Sequence, residues 1–341
     1  MGNRNEISSP AVSDKYGRTV NYLRLSVTDR CNLRCFYCNT CTNFSFIPHD
    51  QILTYEECLD LIHVGISMGV NKVRLTGGEP FVRKGFVSFV RKVLSSYPEL
   101  DLRVTTNGTL LSGIVPHLAT LGLRRLNISL DTLDRKKYEE ITRRDLYPQV
   151  RQAIDDCLES SIQVKINVVA VKGVNDSELA DFVRFALDNP LDVRFIEFMP
   201  IGDDTGWNQS RYWSAVDILD RVQDMTTIRP VLTREKNCGP ARMYELPEGQ
   251  GRIGIISPLS NHFCSQCNRL RITPDGGLRT CLFSDKEYQL RPMLRNPKFG
   301  LDKIEQVMVA ASRKKPLGYT LLKQQGDHSS LCHRVMSSIG G

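Results

Sequence analysis

The 341 residues, 41% hydrophobic and 24% charged, suit a globular protein with a sizeable core and exclude a disordered chain. The net charge of +7 is spread out, with no basic run longer than the three of Arg313-Lys314-Lys315; this argues against nucleic acid and for a pocket that takes a small, highly charged anion. The N-terminal residues lack the apolar stretch of a signal peptide, Glu6 spoils the myristoylation pattern that Gly2 begins, and no window is long and apolar enough for a bilayer, so the expected location is cytoplasmic, with no membrane.

From about Tyr22 to Met199 short apolar strands alternate with helical stretches. The predicted strands are Tyr22 to Val27, Lys72 to Leu75, Leu102 to Thr105, Leu126 to Leu130, Val164 to Val171 and Val193 to Phe198. Helices fit between them; Tyr55 to Met68, for example, opens on the capping box Thr54-Tyr55-Glu56-Glu57. Six such steps predict a parallel sheet with helices outside, open or curled into an incomplete barrel. The strands carry polar residues on one side only: Arg24 and Ser26, Lys72 and Arg74, Asn127 and Ser129, Lys165 and Asn167. Charges turned into a barrel are costly without a counter-charge, so the pattern predicts a polar lumen filled by ligand.

Eleven cysteines in a reducing compartment point to metal chemistry rather than disulfides. Cys31, Cys35 and Cys38 follow the first strand as C-x3-C-x2-C, which satisfies three irons of a [4Fe-4S] cubane and leaves the fourth open. That iron can be chelated by the amino and carboxylate groups of S-adenosylmethionine (SAM), whose sulfonium bond is then broken by one electron. Tyr37 would lie against the cluster and near the adenine. The competing readings are a zinc site, which wants a fourth ligand, and closure of the open iron by Cys41. After the second strand, Thr76-Gly77-Gly78-Glu79-Pro80 offers close backbone approach and a carboxylate for the methionine amino group.

The alternation stops after Pro200, and a boundary is placed near residue 230. Beyond it Cys264-x2-Cys267-x13-Cys281 again supplies three ligands, and the insert reads as a β-hairpin turning at Pro274-Asp275-Gly276-Gly277. Period-two alternation puts Arg269 and Arg271 on the face of Cys267, which suits a polyphosphate. A zinc ribbon completed by His262 or Cys332 is the alternative. Cys58 and Cys157, in helical patterns, read as buried apolar residues.

The motifs YLRLSVTDRCNLRCFYC, VRLTGGEP, TTNG, NISLDTL, KINVV, RFIEFMP, FCSQCNRLRIT and the terminal Gly-Gly together resemble the GTP 3',8-cyclase family of radical SAM lyases, over nearly the whole chain. The resemblance implies an α/β fold, an incomplete (β/α)6 radical SAM barrel over residues 1–230 and a C-terminal domain over 231–341 with a second [4Fe-4S] cluster and a Gly-Gly tail. It implies SAM at the Cys31/Cys35/Cys38 cluster, Tyr37, Gly78, Ser129 and Met199. It implies GTP at Arg24, Lys72, Arg74, Thr105, Lys165, Arg269 and Arg271, with guanine at the open iron of the Cys264/Cys267/Cys281 cluster and Arg194 as a further candidate. Catalysis would involve the first three cysteines, Arg269, Arg271, Gly340 and Gly341. The implied reaction removes hydrogen from the 3' carbon of the GTP ribose and joins that carbon to C8 of the guanine. Implied partners are GTP, a low-potential electron donor and a downstream cyclic pyranopterin monophosphate synthase; a homodimer is left open. The chain departs from the family at Asn39-Thr40-Cys41, where Met-Pro is usual. A radical SAM enzyme acting on peptides is the nearest rival, and a zinc-binding nucleic-acid module a distant one.

Overall fold

The computed structural model describes residues 11–38, 45–202, 205–232, 239–325 and 332–340. Asn39, Thr40, Cys41, Cys238 and Gly341 lie outside the described residues, as do the first ten. The strands are β1 (Tyr22–Ser26), β2 (Lys72–Thr76), β3 (Asp101–Thr106), β4 (Arg125–Ser129), β5 (Gln163–Ala170) and β6 (Asp192–Glu197), followed by β7 (Arg229–Pro230), β8 (Arg242–Glu245), β9 (Arg252–Ile256), β10 (Arg269–Ile272), β11 (Gly277–Arg279) and β12 (Tyr288–Gln289). The helices are α1 (Tyr55–Ser67), α2 (Phe86–Ser96), α3 (Val115–Thr120), α4 (Arg135–Thr142), α5 (Tyr147–Leu158), α6 (Leu179–Asp188), α7 (Ala215–Met225), α8 (Arg291–Leu294), α9 (Leu301–Arg313), α10 (Gly318–Gln325) and α11 (Met336–Ile339).

Strands β1 to β6 pair in sequence order and in parallel, as short right-handed crossovers favour. Strand β1 never meets β6, so the barrel is incomplete. Each edge is extended by later sequence: β10, β11 and β12 beyond β1, and β9, β8 and β7 beyond β6. The placed boundary near residue 230 falls at β7, and the strands after it share one sheet with those before it. The outward side chains, such as Leu23, Leu25, Val73 and Leu75, are fully buried in the apolar core. Helix α1 begins where the capping box places it, with Glu57 N–H donating to Thr54 Oγ1 at 3.2 Å and Thr54 N–H to Glu57 Oε2 at 2.7 Å. No helix among the described residues is long and apolar enough to cross a membrane.

The hairpin β10–β11 pairs Arg271 with Arg279 and Ile272 with Leu278. Its turn needs a glycine at Gly276, where φ is +81°. Gly277 N–H donates to Thr273 Oγ1 at 2.8 Å, which closes the turn.

Candidate active site

Both cysteine trios open onto one cavity of about 340 Å³, lined from β1 round to β6 and from β9 and β10. That shared wall means the sheet curls around it. Cys31, Cys35 and Cys38 sit on the loop after β1, which α4 supports: Arg34 N–H donates to Thr142 O at 2.9 Å and Phe36 N–H to Ile141 O at 3.1 Å. Burial pushes all three thiols up, Cys38 to about 12, so they need a metal to become thiolates. Among the described residues no three His, Cys, Asp or Glu draw together tightly enough for a single ion.

Tyr37 lines the cavity and donates to Asp131, whose other oxygen accepts Val169 N–H at 2.8 Å. Gly77 and Gly78 line it as well, and the absence of side chains lets them pack against the loop after β1: a Cβ at Gly77 would stand 2.6 Å from Thr28 O, and one at Gly78 would collide with Arg30 O. Glu79 does not reach the cavity. Its carboxylate is fully buried and accepts from Phe81 N at 3.0 Å, Thr106 Oγ1 at 2.8 Å and Asn107 N at 2.6 Å. Burial raises its pKa to about 7. These bonds order the Thr106-Asn107 turn. Ser129 and Met199 both line the cavity.

Across from this trio, Cys264, Cys267 and Cys281 face the same space. Burial would raise Cys267, but the Lys315 ammonium and the Arg269 guanidinium outweigh it and lower the thiol to about 6. Lys315 is itself buried, donating to Arg269 O at 2.8 Å and to Thr280 O. Arg18 ties the loop down, donating to Cys264 O at 2.7 Å and Lys315 O at 3.0 Å. A Cβ at Gly318 would lie 3.1 Å from Cys281 Sγ and 3.3 Å from Cys264 Sγ, so α10 starts with the one residue that fits there. The two zinc-completing candidates are engaged elsewhere: His262 Nδ1 meets Pro258 O at 2.7 Å, and Cys332 Sγ meets Arg279 Nη2 at 3.0 Å.

Between the trios runs a row of arginines. The register sets Arg271 on β10 beside Arg24 on β1, Arg24 beside Arg74 on β2, and Arg74 beside Arg103 on β3, and all four line the cavity. Like charges directly opposite on neighbouring strands destabilise a sheet, so this row is built for an anion. Arg103 has a counter-ion in Asp101 at 2.6 Å. Burial lowers Arg24 to about 10 and Arg194 to about 9, with Arg74 adding repulsion in both, and lowers Arg271 further. Beyond the row, Arg194 Nε and Nη2, Asn127 Oδ1 and Asn167 Oδ1 are buried and have no hydrogen-bond partner among the described residues. Gly254 makes room for Arg194, since a Cβ there would stand 2.7 Å from Arg194 Cγ.

The C-terminal segment enters this space. The Gly340 carbonyl accepts from Arg271 Nη1 at 2.8 Å and Arg24 Nη2 at 3.4 Å. Gly340 has φ +73°, and a Cβ on it would stand 2.6 Å from Thr76 Oγ1. Thr105 and Arg269 line the cavity, and Thr105 Oγ1 accepts from Arg74 Nη1 at 3.0 Å. Two expected GTP contacts do not line it. Lys72 is buried with its ammonium 3.9 Å from the centre of the Tyr22 ring, and Lys165 is paired with Asp192. Both have the inward parity and stand near the N-terminal ends of their strands, in register with the cavity residues Tyr22 and Asn127.

Family models match two stretches: Radical SAM superfamily over residues 25–186 and Molybdenum Cofactor Synthesis C over residues 191–321. The GTP 3',8-cyclase of Alkaliphilus oremlandii is 41% identical over 331 residues, covering 97% of this chain and all of its own. That of Syntrophomonas wolfei is 42% identical over 333 residues, covering 96% of this chain and 99% of its own. The chain belongs to the GTP 3',8-cyclase family. Among solved structures, Streptococcus suis SuiB bound to S-adenosylmethionine shares the fold, with a TM-score of 0.60 and 16% identity over 93% of this chain and 77% of its own.

As a member of the GTP 3',8-cyclase family the chain carries cavity residues that sequence reading left out. Arg103 and Asn107 lie on the inward side of β3 and in the turn after it, where the TTNG motif gave the only signal. Arg18 and Lys315 are separated by nearly the whole chain and meet directly, Arg18 Nη2 donating to Lys315 O at 3.0 Å. No local pattern announces such a pair.

Proposed function

We infer that this chain cyclises GTP to (8S)-3',8-cyclo-7,8-dihydroguanosine 5'-triphosphate, the first step of molybdenum cofactor biosynthesis. The observation that carries the reading is the register-matched arginine row between two cysteine trios on one cavity wall. Three thiols on each side fit a [4Fe-4S] cluster with one open iron. When bound, the two clusters and SAM supply the one-electron chemistry that starts hydrogen removal from the GTP ribose.

The residues divide the remaining work. Gly77 and Gly78 let the methionine part of SAM approach the backbone, and Tyr37, Ser129 and Met199 hold the rest of it beside the first trio. Arg24, Arg74, Arg269 and Arg271 neutralise the triphosphate through charge-assisted bonds. Guanine then faces the second trio, and the unpartnered amides of Asn127 and Asn167 with Arg194 orient the nucleoside between the two. Gly340 presses its carbonyl against Arg24 and Arg271 and helps exclude water. A low-potential electron donor supplies electrons, the product passes to cyclic pyranopterin monophosphate synthase, and the chain works in the cytoplasm.

The test is anaerobic incubation of the reconstituted protein with GTP, SAM and a reductant, followed by mass analysis of the nucleotide. A cyclised dihydro-nucleotide with the mass of GTP, but a different chromatographic position, is expected. Unchanged GTP beside freely formed 5'-deoxyadenosine would refute the substrate.

A further inference from the structure

The C-terminal segment has little to hold it in the cavity by itself. Helix α11 is four residues long, less than a stable helix needs alone, and Ile339 and Met336 are its apolar anchors against Ile201 and Phe283. The main fastening lies one turn upstream. Arg334 Nη1 meets Glu287 at 2.9 and 2.8 Å, and its Nη2 meets both oxygens of Asp275 at 3.2 Å. Glu287 also accepts Arg279 Nη1 at 2.7 Å, and the fully buried Arg279 in turn reaches Cys332 Sγ at 3.0 Å. With Asp285 3.6 Å from Arg279 Nη2, two guanidiniums and three carboxylates thus alternate in one network, which is how a partly buried ionic group becomes tolerable.

The network accounts for a motif otherwise used only as a turn. Asp275 belongs to the β10–β11 turn, and a Cβ at Gly277 would stand 2.6 Å from Glu287 Oε2. The second glycine therefore admits the carboxylate that receives Arg334. The same hairpin carries Arg271 at one end of the arginine row and leads into Cys281. Whatever orders the second trio also presents the receiving site for the tail.

We propose that Arg334 is a positioning residue: its ion pairs with Asp275 and Glu287 latch the C-terminal segment onto the second trio's hairpin and so hold Gly340 against Arg24 and Arg271. The role in the reaction rests on reading this cavity as the GTP site, whereas the latch itself does not. Cys332 gives a direct readout, because it is fully buried while the segment is docked. Arg334→Ala leaves Glu287 paired with Arg279, so no buried carboxylate is stranded.

The experiment compares anaerobically reconstituted wild-type, Arg334→Ala and Arg334→Lys holoenzymes. Each is pulsed with iodoacetamide, and labelling of Cys332 is followed by peptide mass analysis beside yields of cyclised nucleotide and 5'-deoxyadenosine. Arg334→Ala is expected to label at least about tenfold faster, as loss of charged hydrogen bonds raises the open population. Its cyclised nucleotide per 5'-deoxyadenosine should fall by about the same factor. Arg334→Lys, keeping the charge, should recover part of both. Wild-type labelling in Arg334→Ala overturns the latch, and faster labelling with unchanged cyclisation overturns the positioning role. If the wild type makes no cyclised nucleotide, the GTP reading fails while the labelling still decides the latch.

Discussion

Replacing Arg194 with Met should stabilise the ligand-free protein while weakening GTP binding. Arg194 lies in β6 with two guanidinium nitrogens unpartnered among the described residues, and burial with repulsion from Arg74 lowers its pKa from the ordinary arginine range to about 9. At 1.36 kcal/mol per pKa unit, that displacement corresponds to about 5 kcal/mol against the charged form, an upper figure. The folded cation has the lower pKa, so the penalty is fully present below about 9 and fades as pH rises from there toward the ordinary arginine value. An assay at neutral pH therefore sees all of it. Replacement of a buried charge by an apolar side chain recovers about 1 to 4 kcal/mol in comparable cases, enough to raise the melting midpoint by a few degrees. Met keeps the stem that lies over Gly254 but cannot bond the nucleotide, so GTP affinity should fall about 10- to 100-fold, as loss of a charge-assisted bond implies. Thermal melts with and without GTP, beside direct titration, measure both effects. A lower midpoint with unchanged GTP affinity would refute the reasoning, because Arg194 would then be a structural cation with a partner.

Changing Cys31, Cys35 and Cys38 together to Ala should cut iron from about eight to about four per chain and abolish SAM cleavage, measured by iron analysis and 5'-deoxyadenosine release. Stoichiometric zinc in the anaerobically purified protein would contradict the cluster assignment. Arg269→Ala should weaken GTP binding by about 1.5 to 3 kcal/mol and leave SAM affinity nearly unchanged; calorimetric titration of each ligand separates this from a misfolded domain, which would lose both. Gly318→Ala puts a methyl 2.9 Å from Phe283 Cδ2 and against the thiols of Cys264 and Cys281. Iron should fall toward about four per chain while SAM cleavage at the first trio persists; full iron content would show that the second trio yields easily.

Much of this protein was legible in the amino-acid order. The six parallel strands, the α1 capping box and the β10–β11 hairpin depend on neighbours a few residues apart; the six strands and α1 lie within a residue of their predicted places, while β11, expected from Leu278 to Leu282, already ends at Arg279. The inward parity of Arg24, Arg74, Arg269 and Arg271 followed from the two-residue repeat of a strand. The cysteine spacings carried their chemistry on their face.

What the tertiary structure decided is partners and register. Alternation says which way a side chain points, but not what it meets there; Lys72 and Lys165 have the right parity and do not line the cavity, being engaged by Tyr22 and Asp192. Glu79 reads as a ligand in its motif, and its carboxylate accepts from the turn after β3. The row Arg271, Arg24, Arg74, Arg103 exists only because four strands from distant parts of the chain align in one register, a relation fixed by packing and hydrogen-bond pairing between strands. The same holds for Arg334, whose partners in the β10–β11 turn and just before β12 are nearly fifty residues or more away in sequence. Local sequence fixes direction and chemistry; long-range pairing decides which charges share one wall.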